Sequence, residues 1–258
     1  GLVGSEMCIR DSTWDRIMSG DFMEDVEDYT SDQIVFRDFW TASRSVLQRA
    51  EGKEDISGTY LGADGRYFAK VTDDSFDWVR LEKNAGYIRD FFAASGKPCT
   101  ALIVPSPAGI LRDMLPENAP YFNEDKAFGR LGDILGSTLL DSRETLSAVD
   151  DPYYHTDHHW TTMGAQAAYT LWAQATGHTA RSYDLTLATD SFRGTLYSKV
   201  LLPDSVYDSV YYAPEITVES VVCDGKDGAL YDLSALEQKD KYELFLGGNY
   251  GCLLYTSP

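Results

Sequence analysis

Apolar positions recur at helical spacing along several stretches of the chain. Phe36, Trp40 and Leu47 share one face behind the cap candidates Ser31 and Asp32, which predicts an amphipathic helix that stops at Gly52. From Ser75 the stripe Leu81, Ala85, Ile88 and Phe92 predicts a longer helix, ended by Gly96 and Pro98. Between them, Asp64-Gly65 separates two short aromatic runs within residues 60–68, the strongest local signal for a hairpin. Cys99 to Val104 is a continuous apolar run of the kind found in buried parallel strands, broken by Pro105-Ser106-Pro107. A helix over 126–135, a strand over 137–141, a short helix and a helix over 163–176 with Gly177 as its stop follow. Beyond Tyr183 the runs Val210 to Tyr212, Ile216 to Val218 and Tyr242 to Leu246 predict strands, so 184–246 reads as a β-rich insertion. Helix and strand alternate, which predicts an α/β fold: a three-layer, flavodoxin-like sheet with helices on both faces and antiparallel decorations.

Composition narrows the function classes. The 258 residues are 43% hydrophobic and 13% aromatic, which excludes disorder for most of the chain. The longest aliphatic stretch, Ala101 to Val104, falls far short of the roughly 20 residues of a membrane helix. A net charge of −19 with no compensating basic patch repels polyanions, so nucleic acid is not an expected partner. Residues 1–12 and 252–258 resemble translated sequencing-adapter read-through on fragments assembled from environmental DNA. Residues 13–251 therefore read as one natural domain, truncated at its C-terminal side. Cys8 and Cys252 fall in those ends, and Cys99 and Cys223 alone make no disulfide framework. A truncated start leaves room for a signal peptide or membrane anchor ahead of it.

The chemistry concentrates at one place. His155, His158 and His159 are three of four histidines in the chain, and Asp157 lies among them. Residues two apart share a face in an extended segment, so Asp157 and His159 converge if the run is strand-like, with His158 turned aside. Thr161 or Thr162 can cap the following helix, and Gly164 permits its close approach. A carboxylate and an imidazole at the rim of an α/β sheet suit general acid–base work. A metal site is the competing reading, since His155, Asp157 and His159 are all ligand types, but no remote Cys/His cluster completes a shell. No metal or cofactor is expected. Taken singly, His155 and His158 read as groups that hydrogen-bond a strand-to-helix turn.

The run from Tyr154 to Ala165, with Asp157-His158-His159-Trp160 at its centre, resembles the signature of the DHHW family. That family is related to SGNH-like hydrolases and to the alginate O-acetyltransferase group. Tyr60-Leu61-Gly62, Val104-Pro105-Ser106, Leu115-Pro116, Tyr197-Ser198 and Phe245 to Asn249 also look family-like. The resemblance implies that Asp157 orients His159, that His159 serves as base and then acid, and that Trp160 packs the turn. It implies an SGNH-like O-acyltransferase or esterase on bacterial cell-surface carbohydrate, extracytoplasmic or membrane-anchored, with a serine on a later strand. The chain stops at Gly251 before any such serine, so it is expected to be silent toward aryl acetates. Ser106 lacks a Gly-Asp-Ser context, which assigns it to structure or substrate contact. Asn249 is a candidate oxyanion donor, and Arg193 and Tyr197 are candidate cleft residues. The alternative class is a non-catalytic carbohydrate-binding protein, stacking sugars on Tyr153, Tyr154, Trp160 and Tyr197.

Overall fold

The computed structural model describes residues 36–217, 221–223, 226–238 and 241–245. Helix α1, Arg37–Ala50, leads into a three-stranded antiparallel meander of β1, Asp55–Ile56, β2, Thr59–Leu61, and β3, Tyr67–Ala69. The predicted Asp-Gly hairpin is present: Asp64 and Gly65 both take positive φ, and Tyr60 pairs with Phe68. Ser31, Asp32 and Asn249 lie outside the described residues. Helix α1 forms where its periodicity places it, but Ser45 is its buried residue, while Phe36, Trp40 and Leu47 stay 61–75% exposed among the described residues.

Helix α2, Trp78–Ser95, starts on an Asp77 side chain that accepts from the Arg80 amide and ends on a left-handed Gly96. After it come β4, Ala101–Ile103, the one-turn helix α3, Pro107–Ile110, helix α4, Glu124–Leu135, and β5, Leu139–Asp141. Strands β4 and β5 pair in parallel, Ala101 opposite Leu139 and Ile103 opposite Asp141. The predicted stripe of α2 closes one side of this pair: Leu81, Ala85, Ile88 and Phe92 pack with Ala101, Ile103, Leu131 and Leu135. The rest of the chain carries α5, Arg143–Ser147, α6, Thr162–Ala175, β6, Thr186–Phe192, α7, Thr195–Val200, and β7, Asp208–Tyr212, antiparallel to β6. A small antiparallel pair, β8, Val221–Cys223, and β9, Lys226–Gly228, follows. The mixture of helices with a parallel pair is an α/β fold.

Three expectations are corrected. Residues 241–244 form a 3₁₀ turn where a strand over 242–246 was predicted, and Ile216 and Thr217 belong to no strand. A short apolar run without strict alternation does not distinguish these states. The run 155–159 is a series of bends, closed by an isolated antiparallel bridge between Tyr153 and Trp160.

Candidate active site

The loop from Asp151 to Thr161 is held shut by its own backbone. The amide of Tyr154 donates to His159 O, and that of Thr161 donates to Pro152 O at 2.9 Å. The Thr161 side chain reaches back to Asp151 O and accepts from the Gly164 amide, so Thr161 is the cap of α6. A Cβ on Gly164 would collide with Pro152 O, which explains the glycine where α6 leaves the loop.

Four other parts of the chain pin this loop from outside. Buried Arg66 donates to Tyr153 O at 2.9 Å and pairs with Asp151, and the Tyr67 amide of β3 donates to His155 O. Tyr153, fully buried, donates its phenol proton to Pro105 O at 2.5 Å, tying the loop to the chain just past the C-terminal end of β4. Asp208, buried at the start of β7, accepts from the amides of His155 and Thr156, from the Thr156 hydroxyl and from His155 Nδ1, at 2.6–3.1 Å. Thr156 also accepts from Gly194 N at its hydroxyl and from the amides of Leu196 and Tyr197 at its carbonyl. Every polar atom of Thr156 thus fixes the residue before Asp157.

Asp157 is 2% exposed and has both oxygens filled. Oδ1 accepts from the His159 amide at 2.9 Å and lies 2.5 Å from His159 Nδ1; Oδ2 accepts from the Thr195 amide at 2.7 Å and its hydroxyl at 2.9 Å. Asp157 and His159 therefore converge through a side-chain turn, in which one carboxylate oxygen takes both the amide and the ring of the residue two ahead. The bent backbone replaces the extended one that alternation predicts, and it has a second effect. His158 is not turned aside: its ring centre is 4.0 Å from that of His159, tilted by 36°. Burial alone would raise the Asp157 pKa, but the His159 ring and the Thr195 and His159 amides outweigh it and hold the carboxyl well below its usual range. Gly194 is required for this approach, because a Cβ there would fall on the Asp157 side chain.

The other predicted residues are placed as follows. Trp160, half-buried, forms the closing bridge with Tyr153. Tyr154 is in the core with Phe192, Val210 and Leu244, and Tyr153 is deeper still, so neither ring faces a ligand. Ser106 caps α3; its hydroxyl lies 2.5 Å from Tyr121 Oη and 3.3 Å from Glu124 Oε2, and its amide donates to Glu124 Oε1. Burial raises the Glu124 pKa, against the Ser106 hydrogen bonds. Arg193 fastens residues 203–206 and lies over the rings of Tyr197 and Tyr207. His155 goes to Asp208, so the His155, Asp157, His159 ligand set of the competing metal reading is not assembled. Asp157, His158 and His159 do cluster within 4.8 Å, but the carboxylate oxygens already accept four donors. A cavity of about 360 Å³ lined by Arg49, Gly62, Tyr67, Leu202 and Ser205, among others, does not include the dyad. Arg66, Thr195 and Asp208 were not legible as site residues, since each meets the loop only through the tertiary fold.

A carboxylate–imidazole pair, pinned to the chain that follows a parallel strand, is an arrangement suited to acid–base chemistry on an α/β fold. The model of the SGNH hydrolase-like domain of acetyltransferase AlgX matches residues 72–205, more than half of the sequence, and the chain belongs to that family. A DHHW family protein from Eubacterium siraeum is 19% identical and superimposes with a TM-score of 0.56 over 76% of this chain and 69% of that one, a likeness of fold. The O-acetyltransferase domain of Pseudomonas putida AlgJ gives 0.47 at 21% identity, over 60% of this chain and 63% of that one. PatB1 of Bacillus cereus gives 0.46 at 16% identity, over 58% and 56%. No curated protein sequence matches the chain. No helix among the described residues is long and apolar enough to cross a membrane.

Proposed function

We propose that the protein is an SGNH-like O-acyltransferase or esterase acting on cell-surface carbohydrate, and that Asp157 and His159 are two members of its Asp-His-Ser triad. The observation that carries this reading is the 2.5 Å contact of Asp157 Oδ1 with His159 Nδ1. The carboxylate is buried and held ionised, so it accepts only; Nδ1 therefore bears the proton and Nε2 is the base. His159 Nε2 takes the proton of a serine hydroxyl as the serine oxygen bonds to the acyl carbon, and returns it to the leaving alcohol as the ester C–O bond breaks. A sugar hydroxyl or water, deprotonated in turn by His159, bonds to the acyl carbon, and the serine oxygen leaves with the proton that His159 returns to it. Ser106 is assigned to structure, because its hydroxyl is engaged by Tyr121 and Glu124. An extracytoplasmic location belongs to the same proposal. Burial of Tyr153 and Tyr154 removes two of the four rings that a purely sugar-stacking protein would use.

The test is p-nitrophenyl acetate turnover by the full-length natural protein, with and without a sugar acceptor. Turnover abolished by His159→Ala is expected; turnover undiminished in that variant contradicts the assignment.

A further inference from the structure

The dyad chemistry makes no use of His158, yet the fold wires it to the same carboxylate. Its side chain is 49% exposed, and its Nδ1 lies 2.9 Å from Thr195 Oγ1 and 3.7 Å from Asp157 Oδ1. A count of protons settles the direction of that contact. Asp157 is a carboxylate and can only accept, so Thr195 Oγ1, 2.9 Å from Oδ2, donates its single proton there. What the hydroxyl turns toward His158 is a lone pair, so His158 Nδ1 must carry hydrogen. In a neutral imidazole the other nitrogen, Nε2, is then an acceptor. The groups facing His158 are Asp157, His159, Thr195 and Lys199. Partial burial, then His159, disfavour a positive charge on the ring, against the pull of Asp157, and Lys199 adds to the opposition.

We propose that the Thr195 hydroxyl is a relay tying His158 to the carboxylate that also holds His159, so that the site presents two neighbouring imidazoles protonated at Nδ1. His159 is the acid–base group, and His158 Nε2 accepts a hydrogen bond from the hydroxyl of the acyl acceptor. The second role rests on the acyl-transfer reading; the tautomers do not. Thr195 is a positioning residue, acting on His158 through its own hydroxyl and on His159 through Asp157. The geometry gives one carboxylate two dependants of different exposure: the His159 side chain is 32% exposed and that of His158 49%. A hydroxyl substrate approaching from solvent meets the more exposed ring first.

Two-bond ¹⁵N–¹H spectra of the histidine-labelled 258-residue protein at neutral pH report which ring nitrogen is protonated. Protonated Nδ1 and unprotonated Nε2 at His158 are expected in the wild type. Thr195→Val should mix the His158 tautomers, and Thr195→Ser should restore them. A wild-type His158 protonated at Nε2 overturns the relay, even if Thr195→Val does not fold. A folded Thr195→Val whose His158 keeps its preference also overturns it. Methyl β-D-glucopyranoside is then titrated in as a model hydroxyl: a saturable shift at His158 Nε2 supports the acceptor role, whereas a shift confined to His159, or none, overturns that role. A full-length protein without acyl turnover but with His158 protonated at Nδ1 contradicts the acyl-transfer reading and leaves the relay standing.

Discussion

Replacing Asp208 with asparagine removes the outer support of the site without altering its volume. The carboxylate accepts at Oδ1 from the His155 amide at 2.7 Å and from His155 Nδ1 at 3.1 Å. At Oδ2 it accepts from the Thr156 amide at 2.9 Å and the Thr156 hydroxyl at 2.6 Å. An asparagine oxygen serves one of these sides, while its NH₂ group meets donors on the other. Whichever way the amide is turned, one backbone N–H is stranded against the NH₂ group, while the His155 ring by tautomer change or the Thr156 hydroxyl by rotation can accept from it. Hydrogen bonds to charged groups contribute about 1.5–3 kcal/mol each, and a stranded buried donor costs a similar amount. The expected loss is about 3–5 kcal/mol, a large share of the roughly 5–15 kcal/mol of an ordinary fold. With a urea slope of about 3 kcal/mol/M, the unfolding midpoint should fall by about 1–1.7 M. Urea titration followed by circular dichroism measures it. A midpoint within about 0.3 M of the wild type, at unchanged slope, refutes the view that Asp208 is the anchor of residues 155–156.

Further outcomes follow from the same contacts. Gly194→Ala places a Cβ on the Asp157 side chain and should cost about 1–3 kcal/mol by overpacking; thermal unfolding equal to wild type would contradict the close approach. Arg66→Met removes the buried donor to Tyr153 O and the partner of Asp151. Asp151 is 42% exposed and its charge stays in water, so about 2 kcal/mol is expected in chemical denaturation rather than the cost of a stranded buried ion. The raised pKa of Glu124 means that the fold binds its proton more tightly than the unfolded chain. Its contribution is present at low pH and declines as pH rises from about 4.3 through the raised value. Glu124→Gln should therefore gain on the wild type across that interval, and parallel stability curves from pH 4 to 7 would count against it.

How much of this was readable in the chain depended on whether the determinants were local. The Asp64-Gly65 turn and the α2 stripe came through because each is fixed by residues a few positions apart, and Thr161 could be read as a cap for the same reason. Tyr154 beside the motif looked available to a ligand, yet packing against Phe192 and Val210 buries it. The convergence of Asp157 and His159 was legible, but not its means, since spacing alone does not distinguish an extended pair from a carboxylate turned onto the amide two residues ahead. Thr195 and Asp208 lie 38 and 52 residues from the groups they hold at Asp157 and Thr156. No periodicity connects such positions.

The proton between Asp157 and His159 can be observed directly. Proton NMR of the labelled 258-residue protein should show a far-downfield resonance coupled to His159 Nδ1, present in the wild type and lost in Asp157→Asn. A His159 ring protonated at Nε2 in the wild type, or a downfield signal that survives Asp157→Asn, would mean that this carboxylate does not set the base.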